Sequence, residues 1–191
     1  KNIRTSYVNL AFGLVFLANV FFPFLDVFIP KYKSALLSLQ LISLTVVLYT
    51  NSFGFGTYLM AQNKEKTIAL IAIFSLIVNI IIGFILVLYF EVPFSYVILA
   101  TNVSYLLFTF LCVYMGLKFM KIKKSFSQIF SIFLPFNLLA PYLLSVIFVL
   151  NDFKYIMILP FLLFVILNLK PLKSIVEKIR TLMDRPNIID L

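Results

Sequence analysis

Seven side-chain amides stand inside long apolar stretches of this chain: Asn9, Asn19, Gln40, Asn51, Asn79, Asn102 and Asn137. An amide offers two N–H donors and a carbonyl acceptor. Left unpaired in an apolar medium it costs about 1–3 kcal/mol. Each must therefore bond a neighbouring helix, or face a wet cavity where it can meet the hydroxyls of a polar substrate. Both readings stand for any one amide. Seven together point to a hydrated cavity.

The residues that usually carry catalysis are sparse. There is no His, so the commonest general base and metal ligand is missing. Cys112 is the single cysteine and sits in an apolar run, where it reads as a small buried hydrophobe; no disulfide within the chain and no metal site is expected. No phosphate-binding P-loop, HExxH or CxxC occurs. The acids Glu91 and Asp152, with Asp26 nearby, fall on separate short turns and read as solvated loop charges. No enzyme activity, no catalytic residue and no cofactor is expected. A channel is disfavoured as well, since there is neither a Gly-rich filter nor a ring of charges.

The elements that must hold the amides follow from hydropathy. The chain is 63% hydrophobic with a mean hydropathy of +1.10, against about 45–50% apolar in a soluble domain. A chain of this size has too little interior to hide the excess, so lipid is its solvent. About 20 apolar residues cross the hydrocarbon core as a helix. Six runs qualify, at about 7–29, 34–61, 67–90, 93–119, 126–150 and 153–169. The fold class expected is all-α: an integral membrane bundle of six transmembrane helices over residues 1–169, with antiparallel neighbours because the links are short. Pro23, Pro135, Pro141 and Pro160 lie inside runs one, five and six and permit kinks there. Gly54 and Gly56 loosen or closely pack run two.

Charge orients the bundle. With the N-terminus inside, the outer segments hold Lys31, Lys33 and Lys154, and the other thirteen of the sixteen Lys and Arg are inside. This asymmetry predicts cytoplasmic termini, and it accounts for the net charge of +9 without nucleic acid as a partner. Tyr7, Tyr32, Tyr89, Tyr96 and Tyr155 fall near the expected membrane–water interfaces, which favour such rings. Residues 170–191 form a tail. Within it Leu172, Ile175, Val176, Ile179, Leu182 and Met183 repeat at helical spacing, as expected of an amphipathic helix on the inner leaflet or docked on the protein. Residues 184–191 are expected to fray.

Four stretches carry a family resemblance: PKYKSALLSLQLISL (30–44), MAQNKEK (60–66), SLIVNIIIGFIL (75–86) with Asn79, and ATNVSYLLF (100–108). Their order resembles the C-terminal half of polysaccharide and O-antigen (Wzx-type) flippases of the multidrug/oligosaccharidyl-lipid/polysaccharide superfamily. The resemblance covers about residues 25–120, and the rest by helix count. It implies one lobe of a two-lobe transporter in the bacterial cytoplasmic membrane. Such a transporter moves undecaprenyl-pyrophosphate-linked sugars outward, and a first lobe would precede the Lys1 start. Partners would be the lipid-linked oligosaccharide, membrane lipids and that first lobe. The chain departs from the family pattern at VPFSYVILA (92–100), where a GxxGAA-type turn is usual, and in having no Lys or Arg in mid-helix. Under this reading Gln40, Asn51 and Asn79 are the leading substrate-cavity candidates. A non-transporting membrane scaffold, or a membrane transferase using Glu91 or Asp152, is the alternative.

Overall fold

The computed structural model describes residues 2–122 and 124–183, all helix and turn with no strand among them. Lys1, Lys123, Arg185 and the expected frayed end at 184–191 lie outside the described residues. So do the side chains of Asp26, Lys154, Ile179, Leu182 and Met183. Four segments are long and apolar enough to cross a membrane: Ile3–Phe24, Pro30–Thr50, Glu65–Leu88 and Phe94–Phe119. Two sharply bent helix pairs raise the number to six if each is one span. The chain is an all-α, multi-pass membrane bundle.

Run one begins earlier than hydropathy suggests. Helix α1 (Asn2–Phe21) already contains Arg4, and a 3-10 turn at Phe22–Phe24 around Pro23 leads to the short α2 (Leu25–Phe28). Run two, expected as one helix over 34–61, is two: α3 (Leu36–Thr50) and α4 (Phe55–Ala61). The break at 51–54 turns on Gly54, whose φ of +86° other residues rarely adopt. Run three is α5 (Glu65–Leu88), 24 residues or about 36 Å, enough to cross the core. Run four is α6 (Ile98–Phe119) behind a 3-10 turn.

Run five is also two helices, α7 (Phe126–Phe133) and α8 (Phe136–Leu150), bent by 64°. A capping box, in which the Ser125 N–H donates to Gln128 Oε1 at 3.3 Å, opens α7. Pro135 ends it, because the residue before a proline is pushed out of helical geometry; Leu134 sits at φ −141°, ψ 87°. Run six is shorter than expected: α9 (Ile158–Leu167) has ten residues, about 15 Å. It turns through 79° at Asn168 into α10 (Leu169–Met183). Pro171 forbids an unbroken helical ladder across this corner. The amphipathic α10 docks: Ile175 is buried, Leu172 packs on the core, and Lys178 Nζ lies 3.4 Å from Ser6 Oγ of α1, while Val176 stays exposed.

The core lies between α1, α3, α6 and α8, filled by Phe12, Phe16, Leu44, Leu48, Val113 and Leu138. Cys112 is buried beside it. At Gly116 on α6, an added Cβ would fall 2.8 Å from Phe55 Cδ1, so only glycine admits the Phe55 ring. Helix α5 packs on the outside of α6 and leaves Ile73, Phe74, Ile77, Ile80 and Phe84 exposed, a surface suited to lipid.

Candidate functional site

The amides divide into those that tie helices and those with unmet capacity. Asn102 on α6 is a tie: its Nδ2 donates to the Leu41 and Ile98 carbonyls at 3.3 Å each, and its Oδ1 accepts from Tyr142 Oη at 3.1 Å. It joins α3, α6 and α8 with its amide capacity largely used. Thr109 adds a second strut, Oγ1 to the Leu48 carbonyl at 3.2 Å.

Asn137 is a tie of another kind. Pro141 has no N–H, so the Asn137 carbonyl one turn earlier lacks its helical partner. Asn168 Nδ2 takes that place at 3.0 Å and also donates to the Phe164 carbonyl at 2.9 Å. In return Asn137 Nδ2 donates to Asn168 Oδ1. Asn168 is fully buried and pins the α9–α10 corner to α8. Sequence reasoning passed over it because it stands at the edge of an apolar run. A polar residue two places before Lys170-Pro171 was the available signal.

Asn9, Asn19, Gln40 and Asn51 are buried, and none of them lines the cavity that Asn79 faces. Asn19 Nδ2 donates to Ser43 Oγ at 2.7 Å, and that hydroxyl donates to the Gln40 carbonyl at 2.7 Å, joining α1 to α3. Asn9 Nδ2 and Asn51 Nδ2 bond carbonyls of their own helices. The atoms Asn9 Oδ1, Asn19 Oδ1, Gln40 Nε2 and Asn51 Oδ1 are buried and make no hydrogen bond among the described residues.

Asn79 differs. It is half-buried, makes no hydrogen bond among the described residues, and faces a cavity of about 270 Å³ between α3, α5 and α6. Ser75 shares the cavity, with its Oγ buried and unpartnered. Ala72, Leu76 and Ser104, with the rings of Tyr49, Tyr105 and Phe108, complete the wall. Tyr49 meets Tyr105 edge-on at 5.9 Å between centroids and lies nearly parallel to Phe108 at 6.1 Å. Ser75 and Asn79 flank the midpoint of the 24-residue α5, so the cavity sits near mid-bilayer. Its wall residue Tyr49 stands next to Thr50, where helix α3 ends at the break. Of this wall the sequence singled out Asn79 alone; Ser75, Ser104 and the aromatic and apolar lining were not foreseen. Ser75 stands one helical turn before Asn79, which is the signal that could have found it.

The broken helices meet at Arg4. One guanidinium nitrogen, Nη2, donates to the Asn51 carbonyl at 3.0 Å and to the Ile132 carbonyl at 3.1 Å. Both carbonyls were freed by the breaks at 51–54 and 134–135. The guanidinium also lies 5.0 Å above the Phe55 ring. Among the described residues no carboxylate pairs with it. Hydropathy alone starts run one at about Tyr7 and so places Arg4 among the inside charges that precede it. No cluster of His, Cys, Asp or Glu able to hold a metal occurs among the described residues.

No protein-family model, curated protein or solved structure matches this chain.

Proposed function

We propose that this chain is one lobe of an alternating-access transporter that flips lipid-linked oligosaccharide across the bacterial cytoplasmic membrane, with both termini inside. The observation that carries the reading is the cavity of Tyr49, Ser75, Asn79, Ser104, Tyr105 and Phe108 beside a broken helix. Polar groups without partners at mid-bilayer are costly unless they serve a substrate. Flat aromatic faces with nearby amide and hydroxyl groups suit a sugar ring, which has apolar faces and hydroxyl edges. Transporters commonly build such sites where helices are discontinuous. The family resemblance over 25–120 supports the substrate class, and the collection of Lys and Arg at one end supports the orientation.

Cavity variants in a strain lacking the native gene test this. Ala72→Phe, which fills the cavity, and Asn79→Leu are expected to trap lipid-linked sugar in the inner leaflet. Full export by both variants would favour the scaffold reading, in which the amides only hold helices together. That alternative draws on Asn102, Asn137 and Asn19, which do tie helices.

A further inference from the structure

A second site lies where α6 ends. The helix closes with the Met120 N–H donating to the Gly116 carbonyl, Lys121 N–H to Lys118, and Ile122 N–H reaching back to Leu117 at 3.1 Å. This is the Schellman arrangement, whose pivot must be left-handed and is usually glycine. Here the pivot is Lys121, at φ +57°. The equivalent pivots after α4 and α8 are Asn63 and Asp152, residue types that enter this region far more readily than lysine. The reversal carries Lys121 and Lys124 round to the same groove as Lys118. The groove holds about 540 Å³, and its remaining walls are Tyr114, Leu117, Ile122 and Ile129. Among the described residues no carboxylate lines it.

We propose that this groove binds the headgroup of an anionic membrane phospholipid. Three lysines with no acid among them offer a phosphate donors and charge from three directions. Much of the lining is apolar, and α7, which contributes Ile129, also carries the exposed Phe126 (72%) and Phe130. A small soluble anion gains nothing from such apolar surface, whereas acyl chains cover it. The height is also right: α6 has 22 residues, about 33 Å, so its end lies at the headgroup level. Basic grooves between transmembrane helices are a recurring solution for acidic lipid headgroups. The site stands on the membrane bundle alone and not on the transport reading.

The test is native mass spectrometry of the purified full chain in neutral detergent. It is titrated with phosphatidylglycerol or phosphatidylcholine. Retention of phosphatidylglycerol over phosphatidylcholine is expected. The Lys118→Gln/Lys121→Gln/Lys124→Gln variant should bind phosphatidylglycerol roughly a hundred-fold more weakly. Lys64→Gln/Lys66→Gln, which removes charge from a turn outside the groove, should leave binding within about two-fold. Lys121→Gly guards against a folding artefact: it removes one charge and relieves the left-handed strain, so it should weaken lipid binding while holding or raising thermal stability. Equal losses in the groove and control variants, or unchanged binding in Lys121→Gly, would overturn the proposal. Displacement of phosphatidylglycerol by millimolar inorganic phosphate would make this a free-anion site and overturn it equally.

Discussion

At the scale of single residues, Arg4 does the most. Its Nη2 satisfies carbonyls from two separate helix breaks, at Asn51 and Ile132, and its plane rests on Phe55. Removing it leaves two carbonyls short of a donor, at about 1–3 kcal/mol for each buried group. Arg4→Met keeps much of the packing and loses the bonds. It is expected to lower stability in detergent by about 2–4 kcal/mol. Arg4→Lys should recover only part of this, since an ammonium lacks the planar fork and stacks less well on a ring. A thermal melt monitored by fluorescence-detected size exclusion checks both variants; wild-type melting of Arg4→Met would remove the clamp from the picture. The sequence made the seven amides visible but not their sorting. Whether an Asn ties helices, like Asn102, or faces a cavity, like Asn79, depends on the rotation of its helix about its own axis. Continuous apolar runs carry little sign of that rotation. Arg4 was hidden for a simpler reason: helices that begin in the headgroup region include residues a hydropathy boundary leaves outside.

At the scale of elements, the apolar runs were legible and their interruptions only partly so. Pro135 announced a kink, and the structure turns it into a full break with a 64° bend. Gly54 announced a loosening, yet its left-handed φ, which splits α3 from α4, becomes evident only in three dimensions. The sequence places the start of a tail at the α9–α10 corner, lying on the inner leaflet or docked on the protein; the buried Ile175 and the Lys178–Ser6 contact give the docked option, against α1. Close approach sets α4 against α6: Gly116 receives Phe55, and Phe55 supports Arg4. Gly116→Ala would force the ring toward the guanidinium. A loss of about 1–3 kcal/mol is expected from the overpacking, although alanine is the better helix former. Equal or higher thermal stability of Gly116→Ala would show that the Phe55 ring has room to move.

At the scale of the whole molecule, composition was enough to define an all-α membrane bundle. Nothing else reconciles 63% hydrophobic residues with runs of this length. The packing order was not available from the sequence. The core gathers α1, α3, α6 and α8, while α5 is applied to the outside and presents most of its surface to lipid. Near-uniform hydrophobicity in lipid-solvated helices erases the amphipathic stripe that tells inside from outside in a soluble protein. What the fold produces is an uneven interior: a core tied by amides, and an aromatic and polar hollow at mid-height beside a broken helix. If that hollow belongs to a transport path, water reaches it. Cysteine labelling reads this directly, because Cys112 is the single native cysteine and is buried. In a Cys112→Ala background, Ser75→Cys and Asn79→Cys in native membranes should react with a hydrophilic maleimide, and Ile77→Cys, on the exposed apolar face of α5, should not. Labelling at 75 and 79 no faster than at 77 would mean that lipid fills the hollow, and the transport reading would fall with it.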